Sequence, residues 1–136
     1  MSYIPAVFST PTVTFTYAAR VDSDVQTVFH NSDPAENGHV LANVENPLAD
    51  DSVEMDDVAV LLNGDAAPLL TVEGDDELAE RVADLQDDGV DFFVCQNSLH
   101  ARDLDASDVR ERVRVVPSGV GLLTKLQDEG YAYITP

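Results

Sequence analysis

The chain has 136 residues, of which 26 are aspartate or glutamate and 7 are lysine or arginine, so its formal net charge is −19. This length suits one domain with a hydrophobic core, and the apolar fraction of 44% is that of a globular protein rather than of a disordered acidic tail. The charge argues against binding to nucleic acids or anionic membranes, and no apolar stretch reaches the roughly 20 residues that span a bilayer.

The first 24 residues give the weakest structural signal. They carry neither an early basic cluster nor a long apolar core, so no signal peptide is predicted and we expect a cytoplasmic protein. Thr12–Tyr17 alternates β-branched and aromatic residues, which indicates either an added strand or an arm that packs on a neighbouring subunit. We therefore predict an arm or added strand over residues 1–24 and an α/β domain over residues 25–136.

From residue 25 onward, predicted strands alternate with predicted helices. Apolar and β-branched runs predict five strands, over residues 25–30, 58–62, 90–95, 113–116 and 131–134. Capping residues and apolar residues at helical spacing predict helices that begin after Asp33, Asp75 and Ser118, a short helix over residues 105–112, and a helical turn over residues 66–72.

This alternation predicts an α/β fold. Because crossover connections are right-handed, few topologies remain, and the flavodoxin-like doubly wound fold is the commonest small one. We expect a mostly parallel five-stranded sheet with helices on both faces. Ligands of such folds bind outside the carboxyl ends of the strands, near the point where the strand order reverses.

Several residues with useful chemistry fall at those strand ends. Cys95 ends the third strand and is the only cysteine, so it forms no disulfide within the chain and one thiol is not a metal site. His100 and Arg102, in a predicted loop after Cys95, are close enough in sequence to supply positive charge to a thiolate. We expect these residues to line one site around Cys95: His30, Asn63, Gly64, Asn97, His100, Arg102, Ser118 and Gly119.

Two interpretations of Cys95 remain open from the pattern alone. A thiolate that is held by positive charge or by backbone N–H groups is a nucleophile or a sulfur carrier. A free cysteine at the end of an apolar strand is more often a small buried core residue, and the pattern alone favours that interpretation.

Other chemistries find little support in the sequence. It contains no phosphate-binding GxxxxGK[ST] loop, no GxGxxG after a strand, no GxSxG elbow and no HExxH. We therefore expect no cofactor. The acidic residues are scattered through every polar segment, which favours adaptation to a salt-rich cytoplasm over a dedicated surface for a basic partner.

Two segments resemble motifs of a known family. Residues 95–99 (CQNSL) are similar to the C-x-N-[ST]-[LM] segment of small DsrE/DsrF-like proteins. Residues 116–120 (VPSGV) and 125–134 (KLQDEGYAYI) resemble the ending of those proteins. The resemblance covers roughly residues 25–136, and Leu122 departs from it where many relatives carry an acidic residue.

The resemblance implies a flavodoxin-like fold and a homo-oligomer, usually a trimer or hexamer. In the sulfur-relay branches of the family, a cysteine after the third core strand accepts persulfide sulfur, and Cys95 matches that position. The leading hypothesis is thus a sulfur carrier or sulfurtransferase with a protein donor or acceptor. The alternative is a non-catalytic oligomeric module for a small ligand or for regulation, in which Cys95 is structural.

Overall fold

The computed structural model describes residues 25–50 and 52–136. The predicted arm over residues 1–24 lies outside the described residues. The strands are β1 (Gln26–Asn31), β2 (Asp57–Leu62), β3 (Asp91–Cys95), β4 (Arg114–Val116) and β5 (Ala132–Ile134). The α-helices are α1 (Asn37–Leu48), α2 (Asp76–Asp87), α3 (Gln96–His100) and α4 (Gly119–Asp128).

The five strands form one parallel sheet in the order β4-β3-β2-β1-β5. The predicted α/β class and the parallel five-stranded sheet are confirmed. From β1 to β4, each strand is added on the same side of its predecessor, and β5 then pairs with the opposite edge of β1. The strand order therefore reverses between β1 and β5, and the carboxyl ends of these strands flank the crevice where such folds bind ligands.

Two hydrophobic cores lie on the two faces of the sheet, as predicted for a doubly wound fold. The larger core packs α1 and α2 against one face, through residues such as Leu41 and Val82. The smaller core packs α4, through Leu123, against Ala59 and Leu61 on the other face. Because side chains alternate along a strand, Cys95 points to the same face as Phe93, which is the face that α4 covers.

Two predictions between β3 and β4 were wrong. The predicted loop after Cys95 is the helix α3, and the helix predicted over residues 105–112 is only a single 3₁₀ turn, Ala106–Asp108. The chain leaves that turn at Val109, which adopts an extended conformation and forms an antiparallel bridge with Thr71. Backbone hydrogen bonds to a distant segment thus replace the helical bonds that local sequence favours.

No helix in residues 25–50 and 52–136 is long and apolar enough to cross a membrane.

Candidate active site

Cys95 lies where β3 ends and α3 begins, beneath the first turn of α4. Cys95 is buried, with 6% of its surface exposed. A Cβ atom added to Gly119 would lie 3.3 Å from the Cβ of Cys95 and 3.1 Å from Cδ2 of Leu61. The absence of a side chain at Gly119 therefore lets the α4 backbone approach the thiol closely.

The N-terminus of α4 is fixed by its capping residue. The Ser118 hydroxyl oxygen accepts a hydrogen bond of 3.0 Å from the backbone N–H of Gly121. This cap leaves the N–H of Gly119, at the positive end of the helix dipole, directed toward Cys95.

Neutral polar groups around the sulfur favour the thiolate of Cys95. Burial raises the pKa of the thiol, because it disfavours the charged form. The Ser98 hydroxyl and the backbone N–H groups of Gly119, Ser98 and Asn97 lower it more than burial raises it, so the pKa lies below that of an ordinary cysteine. The site therefore stabilises an anionic sulfur with neutral donors.

The Ser98 hydroxyl is oriented by a neighbouring backbone group. Its oxygen accepts a 2.8 Å hydrogen bond from the N–H of Gly64, just after β2. With that bond made, the hydroxyl proton is free to point at Cys95. Ser98 was not among the residues predicted to line the site, although it lies within the CQNSL segment that marks it.

Replacing Ser98 with alanine tests this hydroxyl. The pKa of Cys95 should rise, so the pH at which alkylation of the folded protein reaches half its maximal rate should move upward by about one unit. The measurement is the iodoacetamide rate against pH, with exposed Ser107 replaced by alanine as the control. An unchanged midpoint in the Ser98 variant would remove the hydroxyl from the account of thiol acidity.

A second hydrogen-bonded group lies next to Gly119. The His30 ring contacts the Asn63 side chain through Nε2 at 2.9 Å and the Tyr133 hydroxyl through Nδ1 at 2.7 Å. Nδ2 of Asn63 would be 3.5 Å from a Cβ on Gly119, which also contacts Cys95. Tyr133, from β5, was not predicted as a site residue, because strand order across the reversal point was unknown from sequence.

The predicted site residues differ in what they contribute. Gly64, Asn97 and Gly119 act through backbone N–H groups, directly on the thiol or on Ser98, and Ser118 acts as the helix cap. Arg102 donates a 2.8 Å hydrogen bond to the carbonyl of Ser98 and forms an ion pair with Asp65.

We expected His100 and Arg102 to supply positive charge to the Cys95 thiolate, and the described residues do not show this. The guanidinium of Arg102 is engaged by other groups, and His100 is exposed. The lowered pKa of Cys95 is due to backbone N–H groups and the Ser98 hydroxyl, and no cation is among its causes. In residues 25–50 and 52–136, no three histidine, cysteine, aspartate or glutamate side chains form a group able to hold a metal ion.

The comparisons with known proteins agree with this arrangement of strands. A family model described as the DsrE/DsrF-like family matches residues 19–136. The chain belongs to the DsrE/DsrF-like family. The match extends to residue 19 the resemblance that the motifs show over roughly residues 25–136.

A solved structure has a similar fold. The chain is similar to MTH1491, a protein of unknown function from Methanobacterium thermoautotrophicum, with 35% sequence identity and a TM-score of 0.74. The similarity covers 83% of this chain and 100% of that one. The comparison with curated proteins finds no match.

Proposed function

We propose that this DsrE-like protein carries sulfur as a persulfide on Cys95 in intracellular sulfur metabolism. The observation that carries the proposal is the position of Cys95 at the end of β3, against the first turn of α4 at Gly119. The neutral N–H and O–H groups around it hold the pKa of the thiol below its ordinary value. A thiolate is the form of cysteine that attacks sulfur, and it is otherwise scarce near neutral pH.

The proposed step is an exchange between two sulfur–sulfur bonds. The Cys95 thiolate attacks the outer sulfur of a donor persulfide, a new bond forms between the two sulfurs, and the donor's own sulfur–sulfur bond breaks. The electron pair of that bond leaves on the donor thiolate, so no oxidant or reductant is consumed. Attack of an acceptor thiolate on the outer sulfur reverses the sequence and releases Cys95.

We further propose that the protein acts as a homo-oligomer, a trimer or a hexamer, in the cytoplasm. Strand β5 forms one edge of the sheet, and its Tyr133 and Ile134 are each 40% exposed, which leaves apolar surface available to a second copy. Static light scattering in molar salt measures the subunit number, and a monomer would contradict this part of the proposal.

The test of the sulfur-carrier function is intact-protein mass spectrometry after incubation with a small-molecule persulfide donor. We expect the mass of one added sulfur atom, lost again on treatment with a thiol acceptor, and no addition to a Cys95→Ser variant. Folding of both proteins is checked by circular dichroism at the same salt concentration.

The alternative function is a regulatory or ligand-binding module with a structural cysteine. The observation that favours it is the burial of Cys95, at 6% exposure, since a thiol with a purely structural role is ordinarily buried in this way. It predicts that Cys95 resists alkylation in the folded protein, and that the Cys95→Ser variant loses stability without losing any sulfur-accepting activity. Unmodified wild-type protein in the mass spectrometer would favour this function over sulfur transfer.

A further inference from the structure

The side chain of Asn63 holds a hydrogen-bond donor next to Gly119, the residue whose backbone approaches Cys95. Its Oδ1 lies 2.9 Å from Nε2 of His30. An amide oxygen only accepts, so Nε2 carries the proton, and Nδ1 in turn accepts the hydrogen bond of 2.7 Å from the Tyr133 hydroxyl. With Oδ1 held by His30, the Nδ2 group faces Gly119 and donates to no other described residue.

The groups that lower the pKa of Cys95 are Ser98, Gly119 and Asn97, and Asn63 is not among them. Both Asn63 and Cys95 nevertheless adjoin the same point, because a Cβ on Gly119 would lie 3.5 Å from Nδ2 of Asn63 and 3.3 Å from the Cβ of Cys95. A donor so placed is suited to an atom attached to Sγ.

We propose that Asn63 is the residue that binds the outer sulfur of a Cys95 persulfide, through Nδ2, and that His30 and Tyr133 are positioning residues that fix the orientation of its amide. This inference rests on the proposed function. A sulfur–sulfur bond of about 2 Å carries the negative charge of a persulfide one atom beyond Sγ. In the persulfide the negative charge therefore lies on the outer sulfur, away from the donors around Sγ, and the donor proposed for it is Nδ2 of Asn63.

The inference predicts that Asn63 changes the acidity of the loaded protein and not that of the unloaded one. Each variant is loaded chemically: the Cys95 thiol is converted to a mixed disulfide, and hydrosulfide ion then attacks Sγ and displaces the small thiolate. The pH midpoint of alkylation is measured for the unloaded thiol and for the outer sulfur.

In Asn63→Ala, the midpoint of the outer sulfur should rise by about one pH unit, because an anion loses a hydrogen bond. The midpoint of the unloaded thiol should stay within about 0.2 unit of the wild-type value, because Asn63 is not among the groups that lower the Cys95 pKa. In Asn63→Asp, which keeps an oxygen for His30 but replaces the donor with a carboxylate, the outer sulfur should shift further in the same direction.

Tyr133→Phe tests the positioning role. Without the hydroxyl, the His30 proton is free to move to Nδ1, and the Asn63 amide can then turn its oxygen toward the sulfur. The outer sulfur should therefore become less acidic, by less than in Asn63→Ala. Asn46→Ala, an exposed asparagine on α1, is the matched control and should leave both midpoints unchanged.

The outcomes separate this inference from the function on which it rests. Equal outer-sulfur midpoints in wild type, Asn63→Ala and Asn63→Asp would overturn the inference even if a persulfide donor loads Cys95. Because loading is chemical, shifted midpoints would support it even if the donor used to test the function proves to be the wrong one. A folded wild-type thiol that accepts neither the disulfide reagent nor a donor overturns both.

Discussion

Replacing Gly119 with valine is expected to reduce the alkylation rate of Cys95 at neutral pH by more than tenfold. A Cβ added at this position would lie 3.1 Å from Cδ2 of Leu61 and 3.3 Å from the Cβ of Cys95, and the two methyl groups of valine extend beyond it. The first turn of α4 must then move away from β3, which takes the Gly119 N–H away from the thiolate. The pKa of Cys95 should rise toward that of an ordinary cysteine, and overpacking should cost about 1–3 kcal/mol of stability.

Gly121→Val is the matched control for this experiment. Gly121 is exposed in the same turn of the same helix, so both substitutions change helix propensity equally. A Cβ at Gly121 meets only the Ser118 side chain, at 3.3 Å to its hydroxyl oxygen. In this control, the alkylation rate of Cys95 should stay close to the wild-type rate. Equal loss of reactivity in both variants would mean that helix stability, rather than the close approach at Gly119, governs the thiol.

The sequence predicted the sheet well because its signals are local. Buried parallel strands are short apolar runs, and the capping residues Asp75 and Ser118 mark two of the helices between them. The failure over residues 105–112 has the opposite origin. Val109 is drawn into a bridge with Thr71, and no local pattern reveals a partner 38 residues away, since 109 minus 71 is 38.

The sequence predicted which strand ends lie together around Cys95 but not the electrostatics there. Strand ends gave Cys95, Asn63 and Gly119, because all carboxyl ends of a parallel sheet lie on one edge. The pattern could not show that Arg102 pairs with Asp65, leaving neutral N–H groups to hold the thiolate. Nor could it show that β5 returns beside β1, which is what brings Tyr133 to His30.

Neutral donors suit a chain with so much negative charge. Of the five described ion pairs, four bind an arginine to a carboxylate, including Arg81 with Glu45 and Arg112 with Asp87. If a cation stabilised the thiolate, the carboxylates of the 26 acidic residues would compete with the thiolate for that cation. Backbone N–H groups cannot be drawn away by a nearby carboxylate in the same manner, since their positions are fixed by the fold.

The same charge predicts that stability depends strongly on salt. The distance over which charges interact falls from about 10 Å in 0.1 M salt to about 3 Å in 1 M salt. Because each close pair of like charge costs about 0.3 kcal/mol when unscreened, the free energy of unfolding should fall on moving to low salt, by an amount on the order of 1 kcal/mol or more. Urea unfolding at several sodium chloride concentrations measures this change.

Two substitutions, one at each end of α2, separate charge repulsion from other effects of salt. Asp88, the C-terminal capping residue, places a carboxylate at the negative end of the helix dipole, so Asp88→Asn should stabilise the protein, and more so in low salt. Glu77 lies in the first turn, where the dipole favours a negative charge, so Glu77→Gln should give a smaller gain or a loss. Sucrose, which stabilises folded proteins by exclusion without screening charge, should not substitute for salt. Equal recovery of stability in sucrose, or equal effects of the two substitutions at all salt concentrations, would show that self-repulsion is not what low salt exposes.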